Sequence, residues 1–186
     1  MRMSGRPDGS ALKIVLALGT ATLCAITALG LAGLRINTTN SLPLGIYVIT
    51  SDPTAPLVEF CPEGDFSALS SSRGYRPPGR CPDGAAPLLK PMIAKSGDTV
   101  AVVDEGIRVN GRLLPNTAPQ RVDTAGRPLQ AWPQGVYAVA PATLWVASTY
   151  HPKSFDSRYF GPIPARLIRH RLRSLWVRGS VSTAPQ

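Results

Sequence analysis

The pattern of apolar and polar positions divides the chain in two. From Ile14 to Leu34 runs a block of 21 uncharged, mostly apolar residues. A helix of that length spans roughly 30 Å of hydrocarbon, whereas a cleaved signal peptide needs an apolar block of only about 7–15 residues. The block is therefore read as a membrane anchor. No second block of that length follows; the pattern changes to short β-rich runs separated by turn residues. Gly45–Thr50 is one such run. Asp98–Val103, Ile107–Val109 and Arg112–Leu114 read as a meander, with Asn110-Gly111 supplying the positive φ angles of a type I′ hairpin turn. Gly135–Ala140, Thr143–Ser148 and Leu167–Val177 are further strands. Alternation along the last one puts Arg169, Arg171 and Arg173 on one face and Ile168, Leu172 and Trp176 on the other. The expected architecture is an N-terminus over 1–13, an anchor over 14–34 and a mainly β domain over 36–186.

Charge orients this arrangement. Arg2, Arg6 and Lys13 precede the anchor, which favours a cytoplasmic N-terminus and an exported remainder; the single Arg35 on the far side weighs slightly the other way. With 44% hydrophobic and 17% charged residues, wholesale disorder is excluded. The 17 Gly and 19 Pro follow no period, which excludes a collagen-like chain and suits many turns between short strands. Twenty basic against eleven acidic residues leave a net charge of +9, favouring anionic surfaces. Only two His (151 and 170) and three Cys occur, with no CxxC, so no metal site and no cofactor are expected. Cys24 falls in the anchor as a small apolar filler. Cys61 and Cys81 lie in the exported part, where oxidation is permitted, so a bridge across the turn-rich stretch between them is favoured over two free thiols.

Three segments carry candidate chemistry. The first follows the anchor closely: Asn37-Thr-Thr39-Asn-Ser41-Leu-Pro43-Leu-Gly45-Ile-Tyr47. Pro and Gly two and four residues after Ser41 form a rigid turn able to present one hydroxyl. The second is Leu88-Leu-Lys90-Pro-Met-Ile-Ala-Lys95-Ser-Gly97-Asp98. The chain has four Lys against sixteen Arg, and Lys90 sits in an apolar run. Such a lysine either snorkels to the surface or is a buried base. At the reference pKa only about one Lys in 2,500 is neutral at pH 7; a pKa of about 8 raises that to roughly a tenth. A neutral amine can take the proton of a serine hydroxyl. The third segment is Ser154-Phe-Asp156-Ser-Arg158-Tyr-Phe-Gly161. If extended, it places Ser154, Asp156 and Arg158 on one side, where charge-assisted hydrogen bonds can orient them.

In this order the three segments resemble the boxes of the type I signal peptidases, and most of all their conjugative-transfer, TraF-type branch. The Ser41-x-Pro43 turn resembles the nucleophile box. Lys90, eight residues before Asp98, stands where the family keeps its general-base lysine, and Lys95 stands at a position that is not lysine in the pattern. The Ser154 to Gly161 segment resembles the last box. The Cys61–Cys81 insert and the single short anchor also resemble the conjugative branch. The β region between Asp98 and Ser154 is shorter than in general secretory enzymes, which points away from broad preprotein processing.

The resemblance implies a signal-peptidase-like β-sheet catalytic domain that hydrolyses a membrane-bound precursor. Ser41 is then the nucleophile and Lys90 its base. The Ser41 N–H and the Thr39 hydroxyl stabilise the oxyanion, Ser154 orients Lys90, and Asp156 and Arg158 hold the Ser154 segment. In the conjugative branch the substrate is a pilin precursor, and some members cyclise it. The expected partners are such a precursor and the lipid bilayer of a bacterial inner membrane, with the catalytic domain on the periplasmic side.

Two other readings compete. A Ser41–His151–Asp156 triad keeps the chemistry and changes the base. A non-catalytic, membrane-anchored assembly protein changes the class; the Arg166, Arg169, Arg171, Arg173 and Arg178 strip suits anionic lipid or nucleic acid. With the domain tethered to a membrane, lipid headgroups are favoured and no nucleic acid is expected.

Overall fold

The computed structural model describes residues 9–31 and 33–179. They fall into two compact units that part between Arg35 and Ile36. The first holds one helix, Gly9–Leu31 (α1), of 23 residues, about 34 Å long at 1.5 Å per residue. Its Gly9–Ala28 part has a mean hydropathy of 1.9 and is long and apolar enough to cross a membrane. Three hydroxyls along it are satisfied internally: Thr20, Thr22 and Thr27 donate to the carbonyls of Leu16, Leu18 and Leu23 at 2.8–2.9 Å. That removes the cost of a bare hydroxyl in hydrocarbon. The helix begins before Ile14, because Lys13 is a good helix former, and stops before Leu34, because Gly33 takes φ 82°. Arg2 and Arg6 lie outside the described residues.

The β structure forms two sheets. The larger has seven strands in the order Leu34–Asn37 (β1), Gly45–Thr50 (β2), Ile168–Val177 (β11), Leu57–Phe60 (β3), Leu88–Lys95 (β4), Thr143–Val146 (β9) and Ile163–Pro164 (β10). The smaller has four, in the order Arg112–Leu113 (β7), Gly106–Val109 (β6), Thr99–Val103 (β5) and Gly135–Ala138 (β8). The protein is mainly β. The expected meander forms β5, β6 and β7, and Asn110 and Gly111 take φ 49° and 84° at its hairpin.

Four strands, β1, β3, β4 and β10, escaped the sequence pattern, as did a helix between Cys61 and Cys81. In β3 and β4, alternation is hidden because both faces are covered. Leu57 joins a core with Leu42, Tyr47 and Leu172, while Val58 and Phe60 join Leu88, Val146 and Phe160. The same holds for β9: Leu144 and Val146 enter that second core, and Trp145 packs with Val100, Ile107 and Val139 in a third. Strands buried on both faces read as continuous apolar runs. The helix, Gly64–Ser72 (α2), lies inside the stretch that had read as turn-rich.

The last strand differs from expectation. Register shifts between Ile168 and His170 and between Ser174 and Trp176 break the alternation of β11. Each bulge turns the following side chains to the other face. Leu172 is fully buried whereas Trp176 is 62% exposed, so Ile168, Leu172 and Trp176 do not share a face. Arg169 and Arg171 are not simply solvated either. Their guanidinium groups donate to the carbonyls of Arg80 and Ala55 at 2.9 and 3.0 Å.

Cys61 and Cys81 form a disulfide that closes the loop carrying α2. Inside that loop the buried Arg76 is held by Asp83, the Ser70 hydroxyl and the carbonyls of Ser67 and Ala86. Closing a loop of this size contributes about 3 kcal/mol by chain entropy. The double variant Cys61→Ala/Cys81→Ala is therefore expected to unfold about 3 kcal/mol more easily. Urea titration followed by circular dichroism checks this.

Candidate active site

Between β1 and β2 lies the turn that carries Ser41, and Asn37 holds it from inside. The Asn37 amide nitrogen donates to the carbonyls of Thr39, Leu42 and Pro43 at 2.9, 3.1 and 3.2 Å. Its Oδ1 accepts the Thr39 N–H and hydroxyl at 3.2 and 2.8 Å. Tyr47 closes the other side, donating its hydroxyl to the Pro43 carbonyl at 2.7 Å. Its burial pushes the phenol up to about 12. Gly45 takes φ 157°, and a Cβ there would strike the carbonyl oxygen of Trp176 on β11. The residues after Ser41 thus have separate parts: Pro43 offers its carbonyl, Gly45 lets β11 approach, and Tyr47 packs the turn onto the core. Ser41 itself is left half-buried.

Lys90 comes from β4, opposite Val58 of β3. Alternation puts it on the same face as Leu88, which belongs to the core beside Phe155 and Tyr159. It is 2% exposed. Its Nζ donates to Ser41 Oγ at 2.7 Å and to Ser154 Oγ at 2.7 Å, and the two hydroxyl oxygens lie 3.3 Å apart. Burial, the dominant influence, disfavours the ammonium form and brings the amine to about 8 from an ordinary 10.5. The Asp156 carboxylate opposes this fall and the Arg158 guanidinium reinforces it.

The third segment is not extended. Ser157–Phe160 forms a short helix (α3) capped by Asp156, whose side chain accepts the Arg158 N–H at 3.3 Å. Ser154, Asp156 and Arg158 still converge, but through this cap rather than by strand alternation. Asp156 and Arg158 are buried and share two hydrogen bonds of 2.8 Å. The remaining guanidinium hydrogens bind the carbonyls of Pro152 at 2.6 Å, Asn116 at 2.9 Å and Ser154 at 2.9 Å. Burial would favour loss of the Arg158 charge, but Asp156 overcomes this and the pKa is raised. The Ser157 hydroxyl accepts the Val146 N–H at 2.9 Å, tying α3 to β9. Gly161 ends the helix at φ 68°, where a Cβ would lie 2.6 Å from the Trp132 ring.

The family described as signal peptidase, peptidase S26, matches residues 10–177. The chain belongs to the signal peptidase family, peptidase S26. Plasmid transfer protein TraF of Escherichia coli is 39% identical over 163 residues, covering 86% of this chain and 91% of that protein. Probable conjugal transfer protein TraF of Sinorhizobium fredii is 37% identical over 173 residues, covering 88% and 86%. Conjugal transfer protein TraF of Agrobacterium fabrum is 35% identical over 148 residues, covering 76% and 82%. A crystal structure of signal peptidase I from Enterococcus faecalis is 19% identical with a TM-score of 0.36, covering 67% of this chain and 99% of that one.

In this member of the family the structure brings Ser41, Lys90 and Ser154 within hydrogen-bonding distance. The charges of Asp156 and Arg158 both act on Lys90. Thr39 sits in the Ser41 turn, with its hydroxyl proton on Asn37 Oδ1. His151 is engaged elsewhere: its Nδ1 accepts the Lys153 N–H at 3.2 Å. The Asp156 carboxylate is meanwhile taken by Arg158 and the Ser148 N–H. That arrangement does not build the Ser41–His151–Asp156 triad. Two residues escaped the sequence reading. Asn37 carries a usable signal, since Asn-x-Thr is a spelling of an Asx turn. Ser148 carries none, because its partner Ser41 is 107 residues away.

Proposed function

We propose that this protein is a membrane-anchored serine endopeptidase of conjugative transfer, with Ser41 as nucleophile and Lys90 as general base. One observation carries the reading: a fully buried lysine amine, brought to about 8, lies 2.7 Å from a serine hydroxyl and 2.7 Å from a second one that orients it. When the amine is neutral the contact reverses, and the Ser41 hydroxyl donates to Nζ. Ser41 Oγ then adds to the scissile carbonyl while Lys90 takes its proton. The oxyanion is met by the Ser41 N–H and by the Thr39 hydroxyl, which leaves Asn37 Oδ1 to reach it. Lys90 returns the proton to the departing amine, leaving an acyl-enzyme on Ser41. Water then releases the acyl group as an acid. Where the cut instead releases a C-terminal segment, the acyl group on Ser41 is the chain that is kept, and attack by that chain's own amino terminus frees Ser41 and gives a cyclic product lighter by one water than the linear acid.

The substrate of this reading is a membrane-bound, pilin-like precursor whose leader is removed, and the plasmid and conjugal transfer relatives support the setting in conjugation. The positive residues before α1 favour a cytoplasmic N-terminus and a catalytic unit on the periplasmic side. Ser41 follows Leu34 by seven residues, a reach of at most about 25 Å, so the cut falls near the bilayer surface. Mass spectrometry of envelope proteins from cells carrying wild-type or Ser41→Ala protein tests this. A precursor that accumulates only with the variant supports the reading, and its mature mass separates a linear from a cyclic product. Identical envelope profiles refute it.

A further inference from the structure

After β9 the chain delivers Ser148 to the base of the Ser41 turn. Ser148 is fully buried and makes four hydrogen bonds. Its hydroxyl donates to the main-chain carbonyl of Ser41 at 2.6 Å. The same oxygen accepts the N–H groups of Tyr150 and His151 at 3.2 and 3.1 Å. Its own N–H donates to Asp156 Oδ2 at 3.0 Å. A hydroxyl has one proton to give, and here it goes to the nucleophile's backbone. Ser41 is therefore held at two points, its Oγ by Lys90 and its carbonyl by Ser148. Holding the carbonyl sets the ψ angle of Ser41, and with it the direction in which Oγ leaves the turn.

We propose that Ser148 is a positioning residue for the nucleophile, passing the fixed position of the buried Asp156–Arg158 pair to the main chain of Ser41. This rests on the Ser41/Lys90 peptidase reading above. It gives Asp156 a mechanical route to the nucleophile that does not run through the amine of Lys90. Attack needs reacting atoms about 3–3.5 Å apart in line, and a displacement of about 1 Å costs on the order of 100-fold in rate.

The test uses the full-length protein in detergent with p-nitrophenyl acetate, whose acyl transfer to Ser41 is read as nitrophenolate release and as a mass shift on the protein. Ser148→Ala should acylate about 100-fold more slowly than wild type. The acid limb of its pH profile should stay where the wild-type limb is, because the hydroxyl carries no charge. Ser148→Thr, which restores the hydroxyl, should recover most of the rate. A wild-type rate in Ser148→Ala overturns the proposal. So does a slow rate with a displaced acid limb, since the effect would then run through Lys90. If Ser148→Ala does not fold, the nearly isosteric Ser148→Cys takes its place: a slower rate with an unmoved limb supports the role, and an unchanged rate overturns it. Ser41→Ala and Lys90→Met separate the two levels. If either keeps acylating, the peptidase reading fails and this inference with it. If both are inactive and Ser148→Ala is normal, only the inference fails.

Discussion

Ser41→Ala and Lys90→Met are each expected to lose precursor cleavage by on the order of 10⁴-fold or more, and the double variant to be little worse than either. The two groups act as one device: without the amine the hydroxyl keeps its proton, and without the hydroxyl the amine has nothing to deprotonate. Their effects on stability should differ. Lys90 has a folded pKa of about 8 against an ordinary 10.5. Above both values the amine is neutral folded or unfolded and contributes nothing. As pH falls from 10.5 through 8 the unfolded chain takes up a proton that the folded chain resists. Folding is thereby penalised by about 3 kcal/mol at neutral pH. Lys90→Met removes that penalty along with two hydrogen bonds, each worth about 1 kcal/mol. The inactive variant should thus be at least as stable as wild type at pH 7 and less stable at pH 11. Urea titrations at the two pH values measure this. A Lys90→Met protein that cleaves normally would remove lysine from the mechanism.

The pH dependence of kcat/KM provides the second large effect. Activity should fall as pH drops through about 8, because protonation of Lys90 removes the base. At pH 7 roughly a tenth of the molecules hold the neutral amine. Asp156→Asn should move this acid limb to lower pH, since the carboxylate is the neighbour that holds the Lys90 pKa up. The same change leaves the buried Arg158 without its counter-charge, and breaking such a pair costs about 3–5 kcal/mol. The profile is therefore best recorded well below the melting temperature. An acid limb centred near the ordinary imidazole value of about 6.5 that vanishes in His151→Asn would reassign the base. The position of His151, bound to the Lys153 N–H rather than to Ser41, argues for the lysine limb.

A different change makes the insert informative. The Cys61–Cys81 loop packs Phe66, Leu69 and Tyr75 on the core beside Lys90 but supplies neither of its hydrogen-bond partners, so losing the bridge should lower stability without moving the acid limb. A combined shift would mean that the loop holds the core beneath β4 in place.

What the sequence determined alone was whatever a few neighbouring residues decide. The uncharged block after Lys13 makes a helix long enough to cross a bilayer whatever the rest of the chain does. Gly45–Thr50 is rich in β-branched and aromatic residues, so it forms β2 with the bounds its composition suggests. Asn110-Gly111 tolerates positive φ and closes its hairpin locally. The three boxes could be recognised as words of the signal peptidase pattern. The tertiary structure decided everything that depends on partners far apart in the chain. β3 and β4 are covered on both faces, so neither carried a period. The β11 bulges arise from pairing with β2 on one side and β3 on the other, and they undo an alternation that looked regular. Lys90 meets Ser41 and Ser154 across 49 and 64 residues because β4 lies between β3 and β9. Its fall to about 8 is a property of that burial and not of its apolar neighbours in the chain. Ser148 gave no sign at all. A serine acquires a place at the nucleophile only when the fold brings a carbonyl 107 residues away to within one hydrogen bond of its hydroxyl.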